Sequence, residues 1–259
     1  MSAWIISLPF LIGIAIAIAV MIATGLGSYE LIRRFPADES DDSAIRVSDH
    51  IRRVVGILLG LMLSTVFAFS SGQSLKVQDS VEVEAAQLGD LHHDLSRVEA
   101  EDSDAVGELI SEYLEAVVRE EWPALATGQP SDTTNRMFLS IEDRLLSLPA
   151  ETEYDQQLKS RLLQDIDEIS DLRQARDYSA GSGLDWYIFL VILAFGLVMA
   201  TFRFYPATRW TRFYFVSYAV LIGIVLYSTV ALNYPFQSGR VLPQPFESLA
   251  ESIVDDSGR

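Results

Sequence analysis

Apolar residues form four long, nearly uninterrupted stretches, and the segment between the second and the third alternates apolar and polar positions with a helical period. The stretches are Trp4–Leu26, Val54–Ser71, Trp186–Tyr205 and Phe213–Leu232. An α-helix of about 20 apolar residues crosses about 30 Å of hydrocarbon, so each stretch is predicted to span a membrane. The first stretch is too long for a signal-peptide core and lacks a small-residue cleavage site, which indicates a retained span.

The segment from Gln73 to Leu184 predicts amphipathic helices rather than disorder. Its first apolar residues recur at steps of three and four, at Val77, Val81, Ala85, Leu88, Leu91, Leu95 and Val98. This is the period of one helix face. No proline lies between Ile51 and Asp104. The second span and the first helix of this segment are therefore predicted to form one continuous helix of about 48 residues.

Helix stops divide the same segment. Gly128, Pro130 and Pro149 end helical patterns, and Ser131 is a predicted N-cap. The resulting helices are predicted at about 73–99, 104–126, 132–147 and 152–178. The sequence thus predicts an all-α integral membrane protein, with four transmembrane helices and an extramembrane helical bundle inserted between spans 2 and 3.

The predicted order of segments follows from these boundaries. It comprises a first transmembrane helix (1–34), a cytoplasmic Arg-rich loop (35–53), a second transmembrane helix (54–72), an acidic extramembrane helical bundle (73–183), a third transmembrane helix (184–205), a short basic loop (206–212), a fourth transmembrane helix (213–232) and an extramembrane C-terminal segment (233–259).

Arginine is concentrated in the two loops that four spans place on one side of the membrane. The loop between spans 1 and 2 carries Arg33, Arg34, Arg46, Arg52 and Arg53, and the loop between spans 3 and 4 carries Arg203, Arg209 and Arg212. Because basic residues favour the cytoplasmic side, both loops are predicted to be cytoplasmic. Both termini and the acidic bundle then lie outside the cytoplasm, in a multi-pass protein of the cell inner (plasma) membrane.

The net charge of the chain is −17, and it is concentrated in one segment. Residues 73–184 contain 25 acidic and 9 basic residues, a difference of 16. Such a surface repels nucleic acid, and no basic stripe or phosphate-binding loop offsets it. The chain contains no cysteine, which excludes disulfides and thiolate metal sites.

No residue pattern points to catalysis. No Ser-His-Asp arrangement, paired carboxylates in a cleft or cofactor fingerprint is evident, so the sequence predicts no enzymatic activity and no cofactor. His92 and His93 are adjacent, whereas two histidines that bind a metal from one helix are normally four residues apart. The acidic runs lack the spacing of a calcium loop, so no metal site is predicted.

Small residues recur every fourth position along the second span. They are Gly56, Gly60, Ser64, Ala68 and Gly72. In lipid, small residues allow helices to approach closely, so the stripe predicts a helix–helix seam. A pore-lining stripe is the alternative, and the two coexist in a ring of subunits. In such a ring, Phe67 and Phe69 are candidates for an apolar constriction that gates by dewetting.

Several short motifs occur in a distinctive order along the chain. They are Glu84-Ala85, then Tyr113 with Val117-Val118 and Glu121-Trp122-Pro123, then Arg173 and Arg176, and finally Asn233-Tyr234-Pro235-Phe236. Gly239, Val241 and Pro245-Phe246 follow them. In this order, over nearly the whole chain, the sequence resembles the bestrophin-like membrane proteins of bacteria, a family of unknown function. The last motif resembles the family's closing strand-like segment.

Similarity to the bestrophins proper implies a homo-oligomeric, pentameric anion channel whose second span lines the pore. Bestrophins keep their helical domain in the cytoplasm, whereas the arginines here predict it outside. A domain with a charge near −16 also concentrates cations at a pore mouth. We therefore expect a homo-oligomeric ion channel, or channel-like pore, for small inorganic ions in the lipid bilayer. The alternative is a non-conducting scaffold or sensor subunit whose acidic bundle binds a partner.

Overall fold

Every regular element in the described part of the chain is a helix. The computed structural model describes residues 10–35, 42–98, 101–180, 185–206 and 208–257. The helices are α1 (Phe10–Arg33), α2 (Asp42–Leu95), α3 (Glu101–Ala116), α4 (Trp122–Ala126), α5 (Asp132–Ser147), α6 (Glu153–Ala180), α7 (Asp185–Ala200), α8 (Arg209–Asn233) and α9 (Gln244–Ser257). A π-helical turn (Val117–Glu121) precedes α4, and a 3-10 turn (Thr201–Phe204) follows α7. The prediction of an all-helical protein is confirmed.

The first of two compact units, the membrane unit, contains α1, α7, α8 and α2 as far as Gln73. Its four helices are each long and apolar enough to cross a membrane, which confirms four candidate spans. In this unit α1 packs against α7 and α8. A Cβ atom at Gly223 would lie 3.0 Å from the Cα of Ile18, so glycine allows the close approach of α8 to α1. The predicted start of the first span, 4–9, lies outside the described residues.

Helix α2 runs for 54 residues from Asp42 to Leu95, which is about 80 Å. The prediction of one continuous helix is therefore confirmed, and the helix begins even earlier than expected. Segment 35–53 was predicted to be a loop, but it is helical from Asp42 onwards. The reason is that no proline or glycine lies between Asp42 and Val55. Arg46, Arg52 and Arg53 consequently lie on the first turns of α2.

The second unit, the helical bundle, begins at Ser74 and contains the rest of α2, helices α3 to α6, and α9. Its core is built from the apolar residues that show a helical period in the sequence, among them Val81, Leu88, Leu91, Ile110, Phe138, Ile141, Leu145, Leu162 and Ile166. Ser131 is the N-cap of α5, as predicted, and its hydroxyl accepts a hydrogen bond from the backbone N–H of Thr134 at 3.5 Å. Gly128 follows the end of α4 with a φ of +87°, a conformation that favours glycine.

The predicted helix 104–126 contains one irregularity, the π-helical turn over Val117–Glu121. The backbone N–H of Trp122 bonds to the carbonyl of Val117, five residues earlier. Pro123 has no N–H, and its ring would collide with the carbonyl four residues before it in a regular α-helix. A wider π turn accommodates the proline, and such turns are frequent at functional sites.

The segment after α8 ends in a helix, so the expectation of a strand-like closing segment is wrong. Helix α9 begins at Gln244, and Phe246, Leu249 and Ile253 recur at helical spacing. Phe246 and Ile253 are buried in the bundle core. Pro245 lies in the first turn, where a missing N–H removes no helical hydrogen bond.

Candidate functional site

One face of α2 in the membrane unit packs against the other spans of that unit. Leu59, Leu63 and Ser70 are buried on this face. The side-chain amide of Asn233 at the end of α8 donates to the hydroxyl of Ser70 at 2.5 Å. Because these three residues recur at helical spacing, they define a single packed face of α2.

The stripe of small residues does not follow this packed face. A Cβ atom at Gly56 would lie 3.4 Å from the hydroxyl of Tyr218, whereas none at Gly60 or Gly72 would meet a described atom within 4 Å. Residues four apart advance by about 40° around an α-helix. The stripe therefore turns from the edge of the packed face at Gly56 to the opposite side at Ala68. At Gly60 and Gly72 it forms no seam with a described residue of this chain.

The side of α2 opposite the packed face is exposed. Ile57, Leu61, Ser64 and Ala68 lie on it within about 60° of one another, and we call this set the open face. Ile57 is 66% exposed and Leu61 is 62% exposed. Ser64 and Ala68, two members of the small-residue stripe, are also exposed.

Phe67 and Phe69 do not point in a common direction. Both are exposed, but positions two apart on an α-helix differ by about 200°, so the two rings flank the open face on opposite sides. A single constriction therefore does not include both rings of one subunit. The sequence did not single out Ile57 and Leu61. A strict spacing of four residues follows the small residues around the helix and therefore does not identify the residues that share one face.

In the bundle, a fully buried arginine lies between two buried glutamates. The guanidinium of Arg176 on α6 donates to Glu84 on α2, with a distance of 2.5 Å between Nη1 and Oε1. Its Nη2 lies 3.5 Å from Oε1 of Glu121, which belongs to the π-helical turn. None of the three side chains is exposed. A buried charge of this kind is tolerated only when it is paired.

Aromatic rings enclose the same guanidinium. Its carbon atom lies 5.8 Å from the ring centre of Trp122 and 5.6 Å from that of Phe246. Trp122 also packs edge-on against Phe236 at 5.6 Å, and its indole N–H donates to the carbonyl of Val241 at 3.1 Å. The rings exclude water and add cation–π attraction. We call Glu84, Glu121, Arg176 and these rings the ion-pair cluster.

A second arginine extends this arrangement. Arg173, one helical turn before Arg176, donates to the side-chain carbonyl of Asn135 at 3.0 Å and lies 5.1 Å from the ring centre of Phe138. Glu121 also accepts from the hydroxyl of Thr134 and, at 3.3 Å, from the backbone N–H of Ser131. The carboxylate of Glu121 thus links the π-helical turn to the start of α5.

Burial and charge shift the protonation equilibria at the ion-pair cluster. Burial raises the pKa of Glu84, although Arg176 opposes the shift. Burial acts to lower the pKa of Arg176, but Glu84, Tyr113 and Glu121 together raise it. Burial also raises the pKa of the neighbouring Asp177 to about 6; Arg176 opposes this shift, and Glu121 adds to it. Arg176 therefore stays charged, and the pKa of Asp177 beside it lies at about 6.

Several buried polar atoms around the ion-pair cluster have no hydrogen-bond partner among the described residues. They are Oε2 of Glu84, the hydroxyl of Tyr113, Oε1 of Glu121, Nε and Nη2 of Arg176 and Nε of Arg173. Ion pairing offsets part of this deficit, since Oε1 of Glu121 faces Nη2 of Arg176. The arrangement orients and pairs charges in the core of the bundle.

The structure brings most of the motif residues together. Glu84, Tyr113, Glu121, Trp122, Arg173, Arg176 and Phe236 all lie in or beside the ion-pair cluster, and Ala85 and Pro235 are buried in the same bundle. Thr134, Asn135 and Asp177 also lie beside the ion-pair cluster, and the sequence did not predict them. No periodicity or spacing signals them, because their roles depend on partners far away in the sequence.

These features define a helical membrane protein with four candidate spans and a bundle with a buried charge cluster. The family model described as the Bestrophin-like domain matches residues 19–246. Since this match covers most of the chain, the protein belongs to the Bestrophin-like family. The resemblance predicted from the motifs is therefore confirmed.

Solved structures share the fold at low sequence identity. Two crystal structures of a bacterial bestrophin homologue from Klebsiella pneumoniae, each with one substitution, are 12% identical to the chain. One covers 95% of this chain and 99% of its own with a TM-score of 0.57, and the other covers 93% and 97% with a TM-score of 0.54. A third crystal structure, described as a membrane protein, is 11% identical, covers 95% and 99%, and has a TM-score of 0.54. No curated protein matches the chain significantly.

Proposed function

We propose that the chain forms a homo-oligomeric, channel-like pore for small ions, with the open face of α2 lining the pore. The observation that carries this proposal is the separation of two faces on one helix. Leu59, Leu63 and Ser70 pack within the protomer, whereas Ile57 and Leu61 on the other side are more than half exposed. Membership of the Bestrophin-like family, known as ion channels, supports the same function.

The chemistry of the open face suits a gated pore. Ile57 and Leu61 are apolar, and rings of such residues from several subunits close a pore to ions by dewetting. Ser64 lies beyond them, and its hydroxyl donates to the carbonyl of Leu61 at 2.9 Å. Because that proton is already used, the serine oxygen presents its lone pairs, which suit a cation.

The small residues suit close contact between subunits. Gly60 lies between the packed face and the open face and would accept a neighbouring helix at short distance. We propose a ring of subunits, five in number by similarity to the bestrophins proper. The bundle, which is inserted in the sequence between spans 2 and 3, is proposed to lie outside the membrane. The bundle and both termini are proposed to lie outside the cytoplasm. The eight arginines at the opposite ends of the spans support this orientation.

The acidic bundle favours cations as the conducted ions. With 25 acidic and 9 basic residues over positions 73–184, it raises the local concentration of cations in the solution around it. We therefore propose a preference for cations, in contrast to the anion preference that similarity to the bestrophins proper implies.

Cysteine accessibility in planar-bilayer recordings tests the pore. The natural chain contains no cysteine, so a charged methanethiosulfonate reagent should leave its current unchanged. In the variant Ser64→Cys on the open face, the same reagent should block the current. Val66→Cys, on the packed side of α2, is the matched control and should keep its current. Current that survives complete modification of Ser64→Cys contradicts the proposed lining, and a protein without current favours the scaffold.

A further inference from the structure

A pocket of about 430 Å³ lies in the membrane unit between the start of α2, the end of α7 and α8. Asp49, Arg52 and Arg53 of α2 line one wall. Tyr214 and Tyr218 of α8 line the opposite wall, and Val198 and Leu221 supply apolar surface. This volume lies within the range of about 300 to 1,000 Å³ that is typical of small-ligand sites.

Arg52 is held in a fixed orientation at this pocket. Its Nη2 donates to Asp49 at 2.5 Å, and its guanidinium carbon lies 4.5 Å from the ring centre of Tyr205. The hydroxyl of Tyr205 donates to the same oxygen of Asp49 at 2.6 Å. Since a guanidinium has five N–H donors, Arg52 keeps donors for a ligand while the aspartate and the ring fix its plane.

Arg53 adds a positive charge that no acid in the pocket wall balances. The wall contains two arginines and one aspartate, which leaves one positive charge. Arg53 is exposed, and no described residue forms an ion pair or hydrogen bond with it. An anionic group would therefore meet the oriented guanidinium of Arg52 and the exposed guanidinium of Arg53.

The aromatic residues next to the pocket locate it at the depth of lipid headgroups. Trp210, Phe213 and Tyr214 in the first turns of α8 are all more than half exposed. Exposed tryptophan and tyrosine at the end of a span mark the boundary between hydrocarbon and water. The arginines thus lie where phospholipid phosphates lie, and the apolar residues Val198 and Leu221 lie on the side of the acyl chains.

We propose that this pocket binds an anionic phospholipid, with the headgroup phosphate between Arg52 and Arg53 and an acyl chain against Val198 and Leu221. Basic pockets between transmembrane helices bind anionic headgroups in this way. The proposal rests on the residues of this pocket and not on the proposed pore, and Arg53 lies one helical turn before Ile57 of the open face.

Native mass spectrometry of the purified, delipidated full-length protein tests the site. The probes are phosphatidylglycerol and phosphatidylcholine with identical acyl chains, and glycerol 3-phosphate as the soluble form of the phosphate. The protein should retain phosphatidylglycerol in preference to phosphatidylcholine. Arg53→Gln should weaken this retention about fivefold, the effect of one arginine near an anionic lipid. Circular dichroism of the variant verifies that it is folded.

Arg209→Gln is the matched control, because Arg209 is an exposed arginine on the same side that does not line the pocket. Arg209→Gln should leave the retention of phosphatidylglycerol unchanged. In the natural protein, glycerol 3-phosphate should not displace phosphatidylglycerol. Equal losses in both variants, or equal retention of both lipids, would overturn the proposal. Displacement by glycerol 3-phosphate would assign the pocket to a soluble phosphate compound. A change of subunit number in Arg53→Gln would assign it to a contact between copies of the chain.

Discussion

The guanidinium of Arg176 and the carboxylate of Glu84 form an ion pair at 2.5 Å in which neither side chain is exposed. The two residues are 92 positions apart in sequence, and the pair joins α6 to α2 within the bundle. Removing one partner of a buried pair leaves the other charge without compensation, which costs far more than the intact pair contributes. The stability of the bundle should therefore be sensitive to the loss of either partner of this pair.

Glu84→Gln should lower the free energy of unfolding by about 3 to 5 kcal/mol, because it leaves Arg176 with only the longer contact to Glu121. Denaturant unfolding of the purified protein, followed by circular dichroism, measures the loss. Glu115→Gln is the control, since Glu115 pairs with Arg119 at 2.6 Å on the surface. Exposed pairs contribute about 0 to 1 kcal/mol. Equal effects of the two substitutions would mean that the buried pair has no special role.

Asp177→Asn should stabilise the bundle at neutral pH. Burial raises the pKa of Asp177 to about 6 in the folded protein, with Arg176 opposing and Glu121 adding to the shift, against 3.8 as its ordinary value. Because its pKa is raised, Asp177 does not lower the free energy of unfolding below about pH 4, and it lowers this free energy increasingly as the pH rises through 6. The variant should therefore gain about 1 kcal/mol at pH 7.5, a value that allows for the partial exposure of this side chain.

The gain from Asp177→Asn should diminish as the pH is lowered from 6 to 4 in matched unfolding experiments. Asp155→Asn provides a control of opposite sign. The hydroxyl and backbone N–H of Thr152 donate to Asp155 and lower its pKa. Its replacement should destabilise the protein at neutral pH and have no effect at strongly acidic pH. A gain that does not depend on pH would exclude the titration of Asp177 as its cause.

Gly60→Leu should weaken or dissociate the oligomer. A Cβ atom at Gly60 meets no described atom of its own chain within 4 Å, so the protomer itself should fold normally. Between subunits, the added side chain overpacks a close helix contact, which typically costs about 1 to 3 kcal/mol. Size-exclusion chromatography with light scattering measures the assembly. An unchanged assembly for Gly60→Leu, together with dissociation of Leu58→Ala, would show that the seam lies elsewhere on α2.

A reporter fused after Arg259 should be active outside the cytoplasm. This result follows from the eight arginines at the loops between spans 1 and 2 and between spans 3 and 4. Paired fusions of a reporter active only outside the cytoplasm and one active only inside it measure the orientation. Activity of the cytoplasmic reporter would instead support the arrangement of the bestrophins proper.

Any current should prefer cations at low ionic strength and lose that preference as salt is added. The acids of the bundle act through water, and screening shortens their reach from about 10 Å at 0.1 M salt to about 3 Å at 1 M. Reversal potentials in asymmetric KCl at low and high ionic strength measure the preference. A chloride preference that salt does not alter would place the acidic residues away from the ion path.

Features that depend on local pattern were predictable from the sequence. The four candidate spans follow from length and apolar content, and the continuity of α2 follows from the absence of proline. The N-cap at Ser131 follows from its position after Pro130 and before a periodic helix. Helix α9 is equally visible in the helical spacing of Phe246, Leu249 and Ile253, which the resemblance to a strand-like segment does not take into account.

Features that depend on distant partners were not predictable. Nothing in the spacing of Glu84 and Arg176 indicates that they meet, because the pair closes a loop of 92 residues. Thr134 and Asp177 belong to the same environment only through Glu121 and burial. The open face is identified from two facts: successive residues of the small-residue stripe rotate around α2, and one side of α2 packs against α8. The rotation follows from the sequence, but the packing is known only from the structure.

The long-range contacts of Trp122 determine when the core of the bundle can be completed during protein synthesis. Its indole N–H bonds to the carbonyl of Val241, 119 residues later, and its ring packs on Phe246 of α9. A ribosome that has completed α3 to α6 has not yet translated these partners. They emerge only after α7 and α8, so the bundle core is completed only after the third and fourth candidate spans have been synthesised. A nascent chain truncated before Val241 therefore lacks part of the bundle core and should remain susceptible to proteases.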